Sequence, residues 1–404
     1  MKIIYLHQYF KFPSEKGSTR SYDLATSFVK QGYKVVVVTA TNEQYKTKKR
    51  WHIKESEGLE IHRIFLPFGN HLSYIQRTFV FLKFMWFATF RLLKIKADLV
   101  LATSTPLTIG IPAMLKKWIH KTPYIFEVRD VWPEAVIAIG AVKNRWMRKW
   151  LYFQEKIIYK NADYIVPLSI DMQKSIITRF PSFERKTDVV IENISEINRF
   201  QSLDIIPVKL EEILGIKPRF TVLYAGTFGR VNGIEYVINL AEKTLMIDTE
   251  LVYILIGSGG EKEKINIFAK EKGVLNKNVF ILDPISKDEL PSWYRSVDMG
   301  SSFVIDVKEL WVNSANKFFD SLAAGKPILI NHRGWQAEVI DKNNIGYVLP
   351  ETLNEKEIQI FLDYTRDLAL HKEQALNSYE QAKSSYSLQV AIHKYITIFD
   401  KIIR

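Results

Sequence analysis

Short runs of β-branched and aromatic residues alternate with amphipathic stretches along the whole chain. In the first half the runs are KIIYL, YKVVVVTA, LEIHRIFL, DLVLAT, YIFEVRD, DYIVPLS and DVVIEN, with helical periodicity at 19–31, 105–118 and 146–161 between them. The second half repeats the pattern with FTVLYAG, ELVYILIG, NVFILD, MGSSFVI, PILIN and IGYVL, separated by helices at about 233–245, 261–272 and 316–324. Strands that alternate with helices in this way form parallel sheets covered on both faces. The expected fold class is therefore α/β, with two Rossmann-like domains facing a cleft. The expected bounds are 1–192 for the first domain, 193–217 for a linker, 218–385 for the second domain, and 386–404 for a closing helix.

One segment departs from that regular pattern. Residues 72–96, LSYIQRTFVFLKFMWFATFRLLKIK, place Arg77, Lys83, Arg91 and Lys94 within one arc of a helix while aromatic residues fill the rest. Lys83 interrupts the apolar run, which leaves it short of the roughly 20 apolar residues of a membrane span. A helix lying at a bilayer interface fits, supported by the basic aromatic stretch NRWMRKWLYFQEK at 144–156. An ordinary buried helix with basic ends fits residues 72–96 as well.

Charge sharpens this picture. The net charge of +12 is distributed as +15 over residues 1–200 and −3 over residues 201–404. An anionic partner for the first half follows: a nucleic acid, a membrane surface or a phosphorylated substrate. No nucleic-acid motif accompanies the charge, so nucleic acid is not an expected partner. The chain has no cysteine, which excludes disulfides and thiolate chemistry. The histidines form no pair at metal spacing and no Asp-x-Asp occurs, so neither a metal nor a cofactor is called for. MKIIYLHQYF begins a strand and lacks the pattern of a signal peptide, which points to the cytoplasm.

The densest chemistry lies in 309–338, ELWVNSANKFFDSLAAGKPILINHRGWQAE. A helix opens near Ser314 or Asn316, both capping residue types, and runs to Ala324, with Gly325 ending it and Pro327 forbidding continuation. Lys317 and Asp320 share one face of it. A diphosphate would meet Lys317 and the open amides of 313–316, Ala315 among them, while Asp320 accepts hydrogen bonds from a sugar diol. These are the needs of a nucleotide sugar. YAGTFGRVNG at 224–233 supplies a second diphosphate contact: Gly226, Gly229 and Gly233 permit close backbone approach and Arg230 adds charge. GSGG at 257–260 matches neither a dinucleotide fingerprint nor a P-loop and reads as a tight strand-to-helix turn.

In the first half, Ser18 or Thr19 caps a helix whose first turn carries Asp23, with Arg20 a cation beside the open amides. A capped helix with a surface Arg20 is the plainer reading. In YIFEVRDVWPEA a strand ends at Arg129 and Asp130, and the turn at Trp132 and Pro133 holds Glu134 nearby. Two carboxylates and a guanidinium at a strand end suit general acid–base work; a structural ion pair of Arg129 with Asp130 or Glu134, closing the turn, is the alternative.

These blocks together resemble the family 4 retaining glycosyltransferases of GT-B fold. FFDSLAAGKP stands where the family has Leu-Glu-Ala-Met-Ala-x-Gly-x-Pro, so Asp320 falls at the Glu that binds the nucleotide ribose. Val312 falls at the family's first Glu, which seven residues separate from the second, and Glu309 substitutes only along a different loop path. Thr227 and Asn232 stand where the family has an Arg and a phosphate-binding Lys, which leaves Arg230 and Lys317 to carry the charge. Gly17 and Ser18 correspond to the family's paired glycines, and with Arg20 they are expected at the acceptor or the donor. Pro284, after Asp283, is expected to set backbone against the base. The pattern Arg-Asp-x-Trp-Pro-Glu and the Asn-Lys-x-Phe-Asp helix are similar to a WbuB-like branch of bacterial O-antigen and capsule glycosyltransferases.

The resemblance implies a closing helix that crosses back to the first domain, and transfer with retention from a UDP-sugar, such as UDP-N-acetyl-fucosamine, to a polyprenyl-diphosphate-linked saccharide. It implies Asp130, then Glu134, as the group that handles the acceptor hydroxyl, with Arg129 and Lys317 beside the reacting groups. The expected location is the cytoplasm, peripheral on the inner face of the plasma membrane, with the anionic membrane surface as a partner. A UDP-sugar 2-epimerase and a non-enzymatic anion- or membrane-binding protein with a vestigial donor site are the competing classes. Product analysis separates the first; binding to anionic vesicles against DNA separates the second.

Overall fold

Val35–Val38 and the residues Ile3–Leu6 are almost wholly excluded from solvent, as expected of parallel strands covered on both faces. In the computed structural model, which describes residues 1–15, 17–44, 49–69 and 72–403, they form the centre of a seven-stranded sheet. Its strands are β1 (Lys2–Leu6), β2 (Lys34–Thr41), β3 (Trp51–Ser56), β4 (Leu59–Phe65), β5 (Leu99–Thr103), β6 (Tyr124–Val128) and β7 (Tyr164–Pro167). The order is β3-β4-β2-β1-β5-β6-β7. All neighbours are parallel except β3, which runs antiparallel to β4 at one edge. Lys16, in the first loop, and Arg404, at the end of the expected closing helix, lie outside the described residues.

Alternation along β1 sorts the core into two layers. Ile4 and Leu6 face helices α2 (Tyr74–Lys94) and α3 (Gly110–His120) through Phe84, Ala88, Leu92 and Ala113. Ile3 and Tyr5 face α1 (Arg20–Lys30) and the closing helix Leu388–Ile403 through Leu24, Phe28, Ile392, Tyr395 and Phe399.

The second sheet has six parallel strands: β8 (Phe220–Thr227), β9 (Leu251–Ser258), β10 (Val279–Leu282), β11 (Met299–Ser302), β12 (Ile328–Ile330) and β13 (Gly346–Val348). Their order is β10-β9-β8-β11-β12-β13. In each sheet the chain order reverses beside one strand, between β1 and β5 and between β8 and β11. Ligands of open α/β sheets bind in the crevice at the strand C-termini of such switch points. His7 and Ser104 follow β1 and β5; Gly226 and Phe303 lie at the corresponding ends of β8 and β11.

One expected strand does not form, and one strand forms that was not expected. DVVIEN joins no sheet; its carbonyls at Val190, Ile191 and Glu192 accept instead from Lys394 and Arg20. WHIKES, which carried no strand signal, forms β3, because an exposed antiparallel edge needs only one covered neighbour.

Candidate functional site

The helix Asn316–Ala323 is where Lys317 and Asp320 are set. Its N-cap is Ala315, in extended conformation and with no side-chain cap. Ser314 and Asn316 therefore do not cap it. The Ser314 carbonyl instead accepts from Asn193 Nδ2 at 2.5 Å and its hydroxyl lies 3.4 Å from the Asn193 amide. With no side chain over its start, the first-turn N–H groups are left to the cleft. Gly325, at φ 63°, turns the chain out at the other end.

Lys317 runs from this helix to the end of β8. Its ammonium sits 4.8 Å from the centroid of the Tyr224 ring, and a Cβ built on Gly226 would lie 2.5 Å from its Cε. Burial pushes the Lys317 ammonium down to about 8, with Asp320 acting the other way. Among the described residues no carboxylate stands within 4 Å of it.

The Gly-rich turn after β8 is a built cradle. The Thr227 carbonyl accepts from the Tyr224 hydroxyl at 2.7 Å and from Asn232 Nδ2 at 2.9 Å, so Asn232 closes the turn with its amide. Arg230 opens the single 3-10 turn Arg230–Asn232 and has no ion-pair partner among the described residues. Gly229 leaves room for the Asn232 amide, and Gly233 takes φ 57°, where a Cβ would lie 2.9 Å from the Val304 carbonyl carbon. The GSGG segment packs behind this cradle. The Phe228 amide donates to Ser258, and its carbonyl accepts from Glu261, at 2.8 and 3.0 Å. A Cβ on Gly257 would lie 1.8 Å from the Gly226 carbonyl.

Asp320 is buried one turn after Lys317, and its Oδ1 is held by the ammonium of Lys287. Lys287, which sequence patterning did not single out, lies three residues after Pro284 in the loop that leaves β10. Pro284 itself is half-buried there, and Asp283 beside it accepts from Lys262 at 2.8 Å.

Across the cleft, Arg129 and Asp130 leave β6 together and go separate ways. The Arg129 amide donates to Ser104 Oγ at 2.9 Å and its guanidinium reaches Ser18 Oγ at 3.4 Å, beside Gly17. Asp130 accepts from Thr105 Oγ1. Neither forms the ion pair that would close the turn. Glu134 pairs instead with Arg179, Nη1 to Oε1 at 2.9 Å, and Arg179 also binds the buried Glu155. Burial raises the Glu134 carboxyl, Arg179 opposes this, and Glu309 from the other half adds like-charge repulsion. His7 is buried, bonded through Nδ1 to Ser21 Oγ at 2.8 Å; burial first, and Arg129 second, keep it well below the usual imidazole range.

Arg20 is not the surface cation expected beside the open amides. Only 3% exposed, it donates to Glu127 Oε2 at 3.0 Å and to the carbonyls of Ile191 and Glu192. Thr19 occupies the N-cap of α1 without capping it, and donates to Glu196 at 3.0 Å.

The two sides meet at Val312. This side chain packs against Val131, Leu168 and Met172, and its carbonyl accepts from Ser169 Oγ at 2.6 Å. The Asp130 turn and the approach to the helix Asn316–Ala323 are thereby joined through one small apolar cluster.

On the outside of the first sheet, α2 carries two stripes. Phe84, Ala88 and Leu92 face inward, whereas Ile75, Phe79, Leu82, Trp86 and Phe90 face solvent, with Phe79 and Trp86 about 60% exposed. Trp146, Trp150 and Phe153 project from the helix Arg145–Asn161, among the exposed Lys143, Arg145, Lys149 and Lys156. Both helices cover the same sheet face, with α3 between them. Arg91 leaves the basic arc: its Nε donates to His62 at 2.8 Å. Among the described residues no helix is long and apolar enough to cross a membrane, and no group of three or more His, Cys, Asp or Glu is placed to hold a metal ion.

Comparison with known proteins accounts for both halves. Residues 17–191 match the glycosyl transferase 4-like domain and residues 209–380 match glycosyl transferases group 1. Spore coat protein SA of Bacillus subtilis is 23% identical over 267 residues, covering 61% of this chain and 67% of that protein. The stretches shared with four further relatives span 33–64% of their lengths. The Anabaena HepE structure with UDP and glucose superposes with a TM-score of 0.72 at 15% identity, over 99% of this chain and 100% of that one. WaaG, a glycosyltransferase involved in lipopolysaccharide biosynthesis, gives 0.65 at 17% identity, over 98% and 99%. With a 4-like domain in its first half, a group 1 domain in its second and two parallel-sheet Rossmann-like units throughout, the chain belongs to the GT-B-type glycosyltransferases.

Proposed function

We propose that the protein is a retaining glycosyltransferase that moves a sugar from a UDP-sugar to a lipid-linked saccharide during assembly of a bacterial surface polysaccharide. The observation that carries this reading is the convergence of Lys317 on Gly226. A partly desolvated ammonium, an uncapped helix start and a glycine cradle converge on one small space, which suits a diphosphate. Arg230 adds a second cation. HepE, of the same fold, is described with UDP and glucose, which favours a uridine nucleotide.

In the proposed reaction the bond from the anomeric carbon to the diphosphate oxygen breaks while the acceptor oxygen bonds to the same face. The transition state is oxocarbenium-like, with negative charge building on the leaving group. Lys317, Arg230 and the amides at the helix start meet that charge. Asp130 orients the acceptor hydroxyl, whose proton passes to the departing phosphate oxygen. Glu134, spent on Arg179, has a supporting place in that turn. Removing one charge-stabilising contact of this kind costs on the order of 100- to 1000-fold in rate.

A lipid-linked acceptor is favoured by the outer face of α2 and the helix Arg145–Asn161. Bulky apolar side chains stand there in water among lysines and arginines, which suits the interface of an anionic leaflet on the inner side of the plasma membrane. WaaG's part in lipopolysaccharide biosynthesis agrees with this setting.

The test is a calorimetric screen of UDP, GDP and their sugars against wild type, Lys317→Ala and Asp320→Ala, followed by product analysis with a polyprenyl-diphosphate saccharide. UDP-selective binding lost in both variants, and an axial product from an axial donor, are expected. A free sugar nucleotide epimerised at C2 would instead assign the chain to the epimerases. Binding of anionic vesicles but no nucleotide would leave only a vestigial donor site.

A further inference from the structure

Asp320 does not stand alone. Its carboxylate is gripped by Lys287, whose ammonium also lies 3.8 Å from Glu196 and 5.3 Å from the centroid of the Phe200 ring. Glu196 belongs to the connector between the two sheets. It accepts from Thr19 Oγ1 at 3.0 Å and pairs with Arg199 at 2.7 Å, and Arg199 stands 3.6 Å from both Asp23 of α1 and Asp288. A continuous chain of charges thus runs from α1 through the connector to the carboxylate on the donor helix. Lys287 is its last link, and it is carried by the same loop as Pro284.

A buried carboxylate offered to a diol has two requirements. It must stay ionised, and one oxygen must be held so that the other faces the ligand. Burial raises the Asp320 carboxyl above its ordinary value, and Lys287, which holds Oδ1, is the chief group opposing that rise. Lys317 is the other cation near Asp320, Arg199 is more distant, Glu196 opposes ionisation, and the Tyr294 phenol also faces Asp320. Lys287 remains protonated in spite of burial because Asp320 and Glu196 both raise it.

We propose that Lys287 is a positioning residue for the nucleotide ribose: anchored by Glu196 to the connector and to α1, it fixes the Asp320 carboxylate toward the ribose diol. This rests on the reading of Asp320 as the ribose acceptor. A purely structural Lys287 would tie the loop after β10 to the donor helix and leave nucleotide affinity untouched.

The experiment measures UDP affinity by calorimetry at pH 6.5 and pH 8.5 for wild type, Asp320→Ala, Lys287→Met, Lys287→Arg and Glu196→Gln. Without its ammonium, Asp320 takes up a proton more readily, so the defect of Lys287→Met relative to wild type is expected to be about tenfold at pH 6.5 and smaller at pH 8.5. Lys287→Arg, which keeps the charge, is expected within about threefold of wild type, and Glu196→Gln to weaken binding several-fold. Wild-type affinity of Lys287→Met at both pH values, or equal damage in Lys287→Arg and Lys287→Met, overturns the proposal. If Asp320→Ala itself binds UDP like wild type, it is the ribose reading beneath it that falls. Should Lys287→Met fail to fold, Lys287→Gln, which keeps a neutral donor, carries the same expectation and the same refutation.

Discussion

Gly226 and Lys317 compete for one volume: a Cβ on the glycine would lie 2.5 Å from Cε and 3.0 Å from Nζ of the lysine. The colliding atoms are the tip of a flexible side chain, so the fold can yield there cheaply. Gly226→Ala is expected to cost about 1 kcal/mol of stability or less while displacing the ammonium. A lost charge-assisted contact is worth roughly 1.5–3 kcal/mol, so UDP affinity should fall at least about tenfold with little change in Tm. Calorimetry and a thermal melt on the same sample decide it.

Gly257→Ala makes the opposite prediction. Its Cβ would stand 1.8 Å from the Gly226 carbonyl, and backbone in a parallel sheet cannot swing aside. A loss of about 3 kcal/mol in stability is expected, read as a drop in the denaturation midpoint.

The lowered Lys317 sets a pH dependence with a definite sign. Burial lowers the Lys317 ammonium to about 8, and only its charged form would attract a diphosphate. UDP affinity is therefore expected to be level up to about pH 7.5 and to fall by about tenfold by pH 9. The diphosphate itself stays ionised between about pH 7.5 and 9, and Lys317→Met should bind weakly with a shallower slope. A flat wild-type profile to pH 9 would contradict the assignment of the ammonium to the diphosphate.

Val312 occupies the position of an acid in the family pattern, yet it seats against Val131, Leu168 and Met172. Val312→Glu is expected to destabilise the protein by about 3 kcal/mol, because a carboxylate in that cluster finds no partner, and to yield no gain in turnover. Increased transfer with unchanged Tm would mean that the loop has room to turn the new side chain into the cleft.

Replacing Phe79 and Trp86 by serine removes two of the largest exposed side chains on α2 and touches no buried one. Co-sedimentation with phosphatidylglycerol vesicles is expected to fall by about tenfold or more, with Tm unchanged. Transfer to a water-soluble acceptor should be unaffected.

Much of the scaffold was legible because it is local. Runs such as YKVVVVTA and ELVYILIG carry their burial in their own composition, and Gly325 with Pro327 announces the end of the helix Asn316–Ala323. What escaped is held by partners far along the chain. Lys287 and Asp320 are 33 residues apart, Asn193 and Ser314 are 121 apart, and Arg20 and Glu127 are 107 apart. No window on the sequence reports that Arg20 turns inward, or that Ser314 spends its carbonyl on Asn193 and caps nothing. The outward stripe of α2 was hidden for another reason: two apolar stripes on opposite faces of one helix blur into a single hydrophobic run.

The helix Leu388–Ile403 has a bearing on how the protein is made. Ala391, Ile392, Tyr395, Ile398 and Phe399 fill the layer beneath β1 and α1, and Tyr395 bonds the Glu127 that receives Arg20. During synthesis the first sheet therefore emerges from the ribosome with one side of its core open, and it stays open while more than two hundred further residues are translated. The group 1 domain has its own core and can close earlier. The half made first is thus the half finished last, and until then Phe28 lacks the Tyr395 and Phe399 rings that cover it in the finished fold.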